Sequence, residues 1–325
     1  MNKNLVLIIN NESLLKSISG AFVEKDFTVF PFYHFEDVPD YLFSMENLFI
    51  WEIGEIDPRN LKWVDFLKEQ KTIKFILIDF INDAFLMSLI HADTTPQELY
   101  EKSYKLRDLI NMSEMVFDSD YSFVNLSSYL KLNSFIFSHE IKEGENYLEE
   151  AEIVITDFLK KNNLAAGIKD LDLFFLALGE VVENFIEYQL IRLNKTPSII
   201  IEYGYDNEKI IISVRDDLGK ANFLPLFKSF IRKTSVQKKI QEEVSQNENK
   251  RNKDNIPDDY NKEGIYIGAQ GRGMSIIKQG VHRLISIVKK ESEKEISKRT
   301  QFIFIVYLDK RELEDNSSVN MLVFF

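Results

Sequence analysis

The chain has no cysteine, which excludes disulfides, thiolate metal sites and thiol nucleophiles. Histidine is scarce: four residues, at positions 34, 91, 139 and 282, too scattered for a zinc enzyme. Positive charge is short as well. Against 52 Asp and Glu stand 40 Lys and Arg, a formal net charge of -12 that argues against a general nucleic-acid binder. No run reaches eighteen apolar residues, and the opening apolar run at 5–9 is interrupted at 10–13. Neither a signal peptide nor a membrane span is expected, so the expectation is a cytoplasmic protein. What the chain does hold is apolar and aromatic side chains. Hydrophobic residues make up 45% of the 325, with 26 Phe and 13 Tyr, enough for two aromatic-rich cores. The length itself favours two domains.

Residues 1–122 alternate short apolar runs with amphipathic stretches. Strands are expected at 5–9, 28–32, 47–51 and 73–79, and helices at 13–22, 35–45 and 58–70. From 80 to 111 the chain reads as two helical segments broken near Asp93-Thr94-Thr95-Pro96, with a fifth strand at 114–118. A connector follows at 123–132. Continuous apolar strands between helices imply a parallel sheet covered on both faces.

This order resembles a response-regulator receiver domain, an α/β fold of the flavodoxin-like type. The resemblance implies a phosphoacceptor aspartate at the end of the third strand, an acidic pair for Mg²⁺ after the first, and a lysine after the fifth. The third strand here ends Leu48-Phe49-Ile50-Trp51-Glu52, the first is followed by Asn10-Asn11-Glu12, and the fifth leads to Phe117-Asp118-Ser119-Asp120. A degenerate receiver-like domain that is not phosphorylated is therefore expected, the alternative being an unrelated α/β interaction domain. Glu52 either mimics a phosphorylated aspartate or is a solvated residue at a strand end.

The second domain, 133–310, centres on Gly179-Glu180-Val181-Val182-Glu183-Asn184 within a long helix at 171–190. Glu180 and Asn184 lie one turn apart on one side of it. A carboxylate and an amide so placed can serve a hydrated metal ion and a phosphate. Leu176, Val181 and Phe185 are expected to hold the helix in a core. An edge strand at 133–141 and a helix at 146–164 come before it. After it, strands at 198–205 and 209–215 form a hairpin about Asp206-Asn207. The far strand runs into Asp216-Asp217-Leu218-Gly219-Lys220-Ala221. Asp217 is placed to accept from the exocyclic amine of adenine, with Gly219 leaving room for the base. Residues 228–263 are charge-rich and read as a mobile lid. In Gly271-Arg272-Gly273-Met274 the glycines permit close backbone approach and open a helix whose free N–H groups suit phosphates. Strands at 283–288 and 300–308 close the domain, and the apolar tail within 311–325 adds an edge strand or docks on a partner.

As an ordered set these motifs resemble the GHKL ATP-binding domain, an α+β two-layer sandwich shared by gyrase, histidine kinases and MutL, and most closely the serine-kinase branch of bacterial anti-sigma factors. The resemblance implies ATP and Mg²⁺ as cofactors, with Asn184 on the metal and Glu180 as the catalytic residue that positions or activates a nucleophile. Asp217 and Gly219 would hold adenine, joined by Thr300, and Gly271, Arg272, Gly273 and Met274 the phosphates. Ala221 replaces the last glycine of the adenine motif, Phe185 the usual alanine after the asparagine, Tyr188 the usual histidine and Arg299 a glycine. The implied activity is phosphorylation of Ser or Thr on a regulatory protein partner. The alternative is an inactive adaptor that binds partners through both domains. A homodimer is a further expectation from the resemblance, with the C-terminal Val319-Asn320-Met321-Leu322-Val323-Phe324-Phe325 as its candidate sticky element. His139-Glu140 sits in an alternating strand and reads as structural.

Overall fold

The computed structural model describes residues 3–52, 62–63, 66–67, 70, 73–80, 83–117, 126, 129–130, 135–141, 146–168, 170–187, 189–190, 198–216, 281–288, 300–308 and 319–324. The first half opens with β1 (Lys3–Ile8), α1 (Glu12–Val23) and β2 (Phe27–Phe32). Helix α1 starts where it does because the Asn11 side chain accepts from the Leu14 N–H at 2.9 Å. Its Leu14, Ile18, Ala21 and Phe22 bury one face. A 3-10 turn at Phe35–Asp37, α2 (Asp40–Phe43), β3 (Leu48–Glu52) and β4 (Lys74–Ile78) follow. Strands β2, β1, β3 and β4 pair in parallel in that order.

Helices α3 (Ala84–His91), α4 (Pro96–Lys102) and α5 (Tyr104–Phe117) come next. The expected break near residue 94 is real. Thr95 and Glu98 form a capping box, with Pro96 in the first turn of α4. A second break falls at Ser103, whose backbone is extended and whose hydroxyl accepts from the Leu106 N–H at 3.2 Å. The strand expected at 114–118 does not exist: residues through Phe117 are the last turns of α5. Leu106, Leu109, Ile110, Ser113 and Val116 are buried at helical spacing, so the short apolar run was one end of a longer 3.6-residue period.

The second half contains β5 (Phe135–Ile141), α6 (Tyr147–Lys161), α7 (Leu171–Glu187), β6 (Ile199–Tyr205), β7 (Lys209–Asp216), β8 (Arg283–Val288) and β9 (Thr300–Tyr307). Its strands run antiparallel in the order β5-β6-β7-β9-β8. The hairpin turn is held by Asp206, whose Oδ1 accepts from the N–H groups of Glu208 and Lys209. Gln189 ties the end of the α7 segment to the start of β6 by two hydrogen bonds with the Ser198 backbone.

The last strand, β10 (Val319–Phe324), corrects the expectation for the tail. It is an internal strand, antiparallel to β4 and parallel to β8, and it joins both halves into one ten-stranded sheet. Met321 and Val323 are fully buried. The chain thereby closes two edges at once.

The sheet separates two hydrophobic clusters. One holds Ala151 and Ile155 of α6, Val181 and Phe185 of α7 and the near face of the second half, and extends to Phe49 and Phe75 in the first. The other joins α1, α3, α4 and α5 to the opposite face, including Ile211, Ile303, Ile305 and Tyr307. Helices of the first half thus cover the back of the second.

That junction carries buried charge. Asp108 on α5 receives Lys209 Nζ at 2.6 Å and the Tyr307 hydroxyl at 2.7 Å, and Arg283 Nη1 stands 3.8 Å away. Arg283 Nη1 also donates to the Lys105 carbonyl at 2.6 Å, and Lys105 Nζ pairs with Asp83 at 2.9 Å. At the rim Arg107 meets Glu208 at 3.2 Å.

Candidate functional site

Helix α7 presents the first element of the site. Phe174, Ala177, Leu178, Val181, Val182 and Phe185 bury its inner face. Leu176 does not join them as expected: it is 51% exposed, on the outward side with Glu180 and the exposed Glu183. The inner positions recur at three and four, and residue 176 falls outside that stripe. Glu180 is half-buried, and its pKa is raised by loss of hydration and then by the neighbouring Glu183 charge. Asn184 follows one turn on in the same helix; its side chain is outside what the structure describes. Phe185 meets the Phe302 ring of β9 at 5.6 Å. The bulky residue after the asparagine is therefore a core residue, directed away from the outward face.

The second element is the end of the β7–β9 pair. Phe302, Phe304 and Val306 share the cluster with α7, and Thr300 lies two residues before Phe302, on the same face. Thr300 is fully buried, and its Oγ1 has no hydrogen-bond partner among the described residues. A buried hydroxyl without a partner costs about 1–3 kcal/mol, so its retention needs a reason. Its cross-strand neighbour is Asp216, the last residue of β7. The sequence continues directly into Asp217. Strand pairing thus brings Asp216 beside Thr300, and the Phe185–Phe302 contact sets α7 over the same strand.

Asp217, Gly219, Ala221, Gly271, Arg272, Gly273 and Met274, together with the lid at 228–263, lie outside the described residues. Among the described residues no group of three or more His, Asp or Glu is arranged to hold a metal. The polar groups on this side among the described residues are the Thr300 hydroxyl and the half-buried Glu180 carboxyl. Asn184 would hold Mg²⁺ by its place in the helix.

The carboxyl end of the parallel strands is different. Asn11 is engaged as the cap of α1. Glu52 is not the solvated strand-end residue that was one expectation: it is buried, and its Oε2 accepts from the Phe80 N–H at 2.8 Å. His139 lies in β5 as a strand residue, its Nε2 3.2 Å from Glu150. His282 Nδ1 accepts from the Tyr307 N–H at 2.9 Å.

Sequence reasoning missed the Asp83, Lys105, Asp108, Lys209, Arg283 and Tyr307 network. One signal was present: Lys105 and Asp108 are three apart inside an otherwise apolar helical face, where charge is costly unless paired. No family model matches the chain, and no curated protein matches it.

Proposed function

We propose that the chain is a Mg²⁺-ATP-binding signalling protein of the GHKL type, with the nucleotide held between α7 and the β7–β9 strand ends. The observation that carries the reading is the Thr300 hydroxyl, buried beside the end of β7 on the face that α7 covers and without a partner among the described residues. The antiparallel order β5-β6-β7-β9-β8 under α6 and α7, and the order of the three sequence motifs, support it.

In this reading Asn184 would hold Mg²⁺, which would supply neutralisation of the phosphate charge when bound. Glu180, with a raised pKa in a half-buried position, takes the proton of a Ser or Thr hydroxyl on a partner protein. Asp217, Gly219 and Thr300 hold the base. Gly271, Arg272, Gly273 and Met274 would hold the phosphates. The test is titration of the full chain with ATP, with and without Mg²⁺. Saturable binding is expected for the wild type. Asn184→Ala should weaken it in the presence of Mg²⁺, and Thr300→Val should weaken it about tenfold whether or not metal is present, as for loss of one buried hydrogen bond. A folded chain that binds no ATP would sink the reading.

A second reading, a regulatory adaptor, draws on the first half. Asn11 and Glu52 are engaged in structural bonds, and β10 and α5 fasten this half to the other. Such a body is suited to signalling by contact. ATP consumption that falls with Glu180→Gln favours the kinase. A partner complex unchanged by that substitution favours the adaptor.

A further inference from the structure

The turn of α5 from Tyr104 to Asp108 holds three neighbouring strands of the second half at one end. Arg107 meets Glu208 beside the start of β7, and the Lys105 carbonyl accepts from Arg283 at the start of β8. The Tyr104 ring stacks on Tyr307 at the end of β9, with centroids 5.6 Å apart. Asp108 is the centre of this grip. Its Oδ1 accepts from Lys209 Nζ at 2.6 Å and its Oδ2 from the Tyr307 hydroxyl at 2.7 Å. Those two residues are cross-strand partners, the first pair of the β7–β9 ladder. The last pair of the same ladder is Asp216 with Thr300. One carboxylate thus clamps one end of two strands whose other end is the candidate site, about 23 Å away at the rise of a strand.

The register of this ladder has no local cause. β6 and β7 are joined by a tight turn, which Asp206 sets by accepting from the Glu208 and Lys209 N–H groups. β7 and β9 are separated by residues 217–299, too many for a hairpin turn to align them. Hydrophobic alternation does not align them either, because both faces are buried and apolar. The cross-strand pair Ile212 and Phe304 lies in one cluster, and the pair Ile211 and Ile305 in the other. A slip of two residues would exchange one apolar pair for another and leave every side chain on its own face. Buried polar side chains do distinguish the registers. Inside the ladder Gln301 donates to the Ser213 hydroxyl at 2.7 Å, and from outside it Asp108 takes Lys209 and Tyr307 together.

We infer that Asp108 is a positioning residue for the nucleotide site, acting through the β7–β9 ladder: by holding Lys209 opposite Tyr307 it holds Thr300 opposite Asp216. The grip needs both of its donors level at once. A slip of two residues parts Lys209 from Tyr307 by about 7 Å and strips a buried cation or hydroxyl of its acceptor. Asp108 is fully buried and its own place is fixed, because the same turn of α5 is bonded to β8 through Lys105 and Arg283. The slip that breaks the grip also takes Thr300 out of line with Asp216 at the far end. The consequence for the nucleotide rests on the reading proposed above. The clamp on the register does not.

The chain has no cysteine, so an introduced pair reports the register without background. In the full chain carrying Asp216→Cys and Thr300→Cys, oxidation should cross-link the two positions. Adding Asp108→Asn should lower the yield about threefold or more, because partners moved about 7 Å along the strand pass out of disulfide reach. ATP titration then tests the consequence in a chain with both positions restored. Asp108→Asn should weaken binding by up to about tenfold, the loss expected of Thr300→Val, and should add nothing to that loss in the double variant. A purely stabilising Asp108 predicts the same factor in both backgrounds, since substitutions so far apart are additive. Should Asp108→Asn not fold, Tyr307→Phe releases one of the two carboxylate oxygens and takes its place in both measurements. Cross-linking that is unchanged in the folded variant overturns the clamp. Equal factors in the two backgrounds overturn the positioning role. A folded wild type that binds no ATP overturns the nucleotide reading and the positioning role together, while the cross-link still decides the clamp.

Discussion

Two places in this molecule were expected from the sequence to resemble a phosphoryl site, and their polar groups are held differently. At the carboxyl end of the parallel strands, Asn11 caps a helix and Glu52 is buried against the Phe80 N–H. Under α7, the Thr300 hydroxyl is buried without a partner among the described residues, and Glu180 is half-buried beside another carboxylate. The first set lowers the energy of the fold, and the second raises it. Polar groups kept at a cost in stability point to chemistry more strongly than polar groups already satisfied. The comparison is the reason the proposed reading is built on the second half and not on the first.

The largest expected effect is at the joint that makes the halves one body. Asp108→Ala strips Lys209, Arg283 and Tyr307 of their shared acceptor and leaves buried cations uncompensated. A loss of about 3–5 kcal/mol is expected in denaturant unfolding. If the halves depend on this joint, signals from either half should move together in the wild type and separate in the variant.

Next is Glu52→Ala. Removing a buried charged acceptor from the Phe80 N–H should cost about 1.5–3 kcal/mol and leave nucleotide binding unchanged. Loss of ATP affinity in a folded Glu52→Ala protein would reverse the comparison and return the chemistry to the first half.

The smallest effect has the opposite sign. Because the Glu180 pKa is raised on folding, the folded chain holds that proton more tightly than the unfolded one. The stability gained is fully present below the ordinary value of 4.5 and is lost as pH rises through the raised pKa. At pH 7 the ionised group is a burden. Glu180→Gln should therefore raise Tm slightly near neutral pH, and the gain should shrink as pH falls toward the ordinary carboxylate range. A lower Tm at neutral pH would show that the carboxylate has a stabilising partner, and would weaken the contrast with Glu52.

Local periodicity carried most of the element reading. The βα alternation of the first half, helices α1, α6 and α7, the β6–β7 hairpin about Asp206 and the edge position of β5 were legible because each depends on residues a few positions apart. Where the period was ambiguous the reading failed. The apolar end of α5 at 114–117 passed for a strand because a short apolar run has no distinguishable period. In the site, the pairing of Asp216 with Thr300 followed from strand order, whereas the isolation of the Thr300 hydroxyl depends on everything packed around it. Leu176 was misplaced because its side of α7 is decided by which neighbour the helix packs on.

The sequence by itself determined most of the helices and strands, the apolar stripe of helices such as α1 and α6, and that Glu180 and Asn184 stand one turn apart. These follow from backbone geometry and spacing along one element. Only the tertiary structure decided that Val319–Phe324 lies between β4 and β8, that Asp108 meets Lys209, Arg283 and Tyr307 across the joint, and that β5 is left with an open apolar edge. The β10–β4 pairing and the contacts of Asp108 join residues a hundred or more positions apart. Their partners are selected by desolvation, which acts only once the sheet has closed.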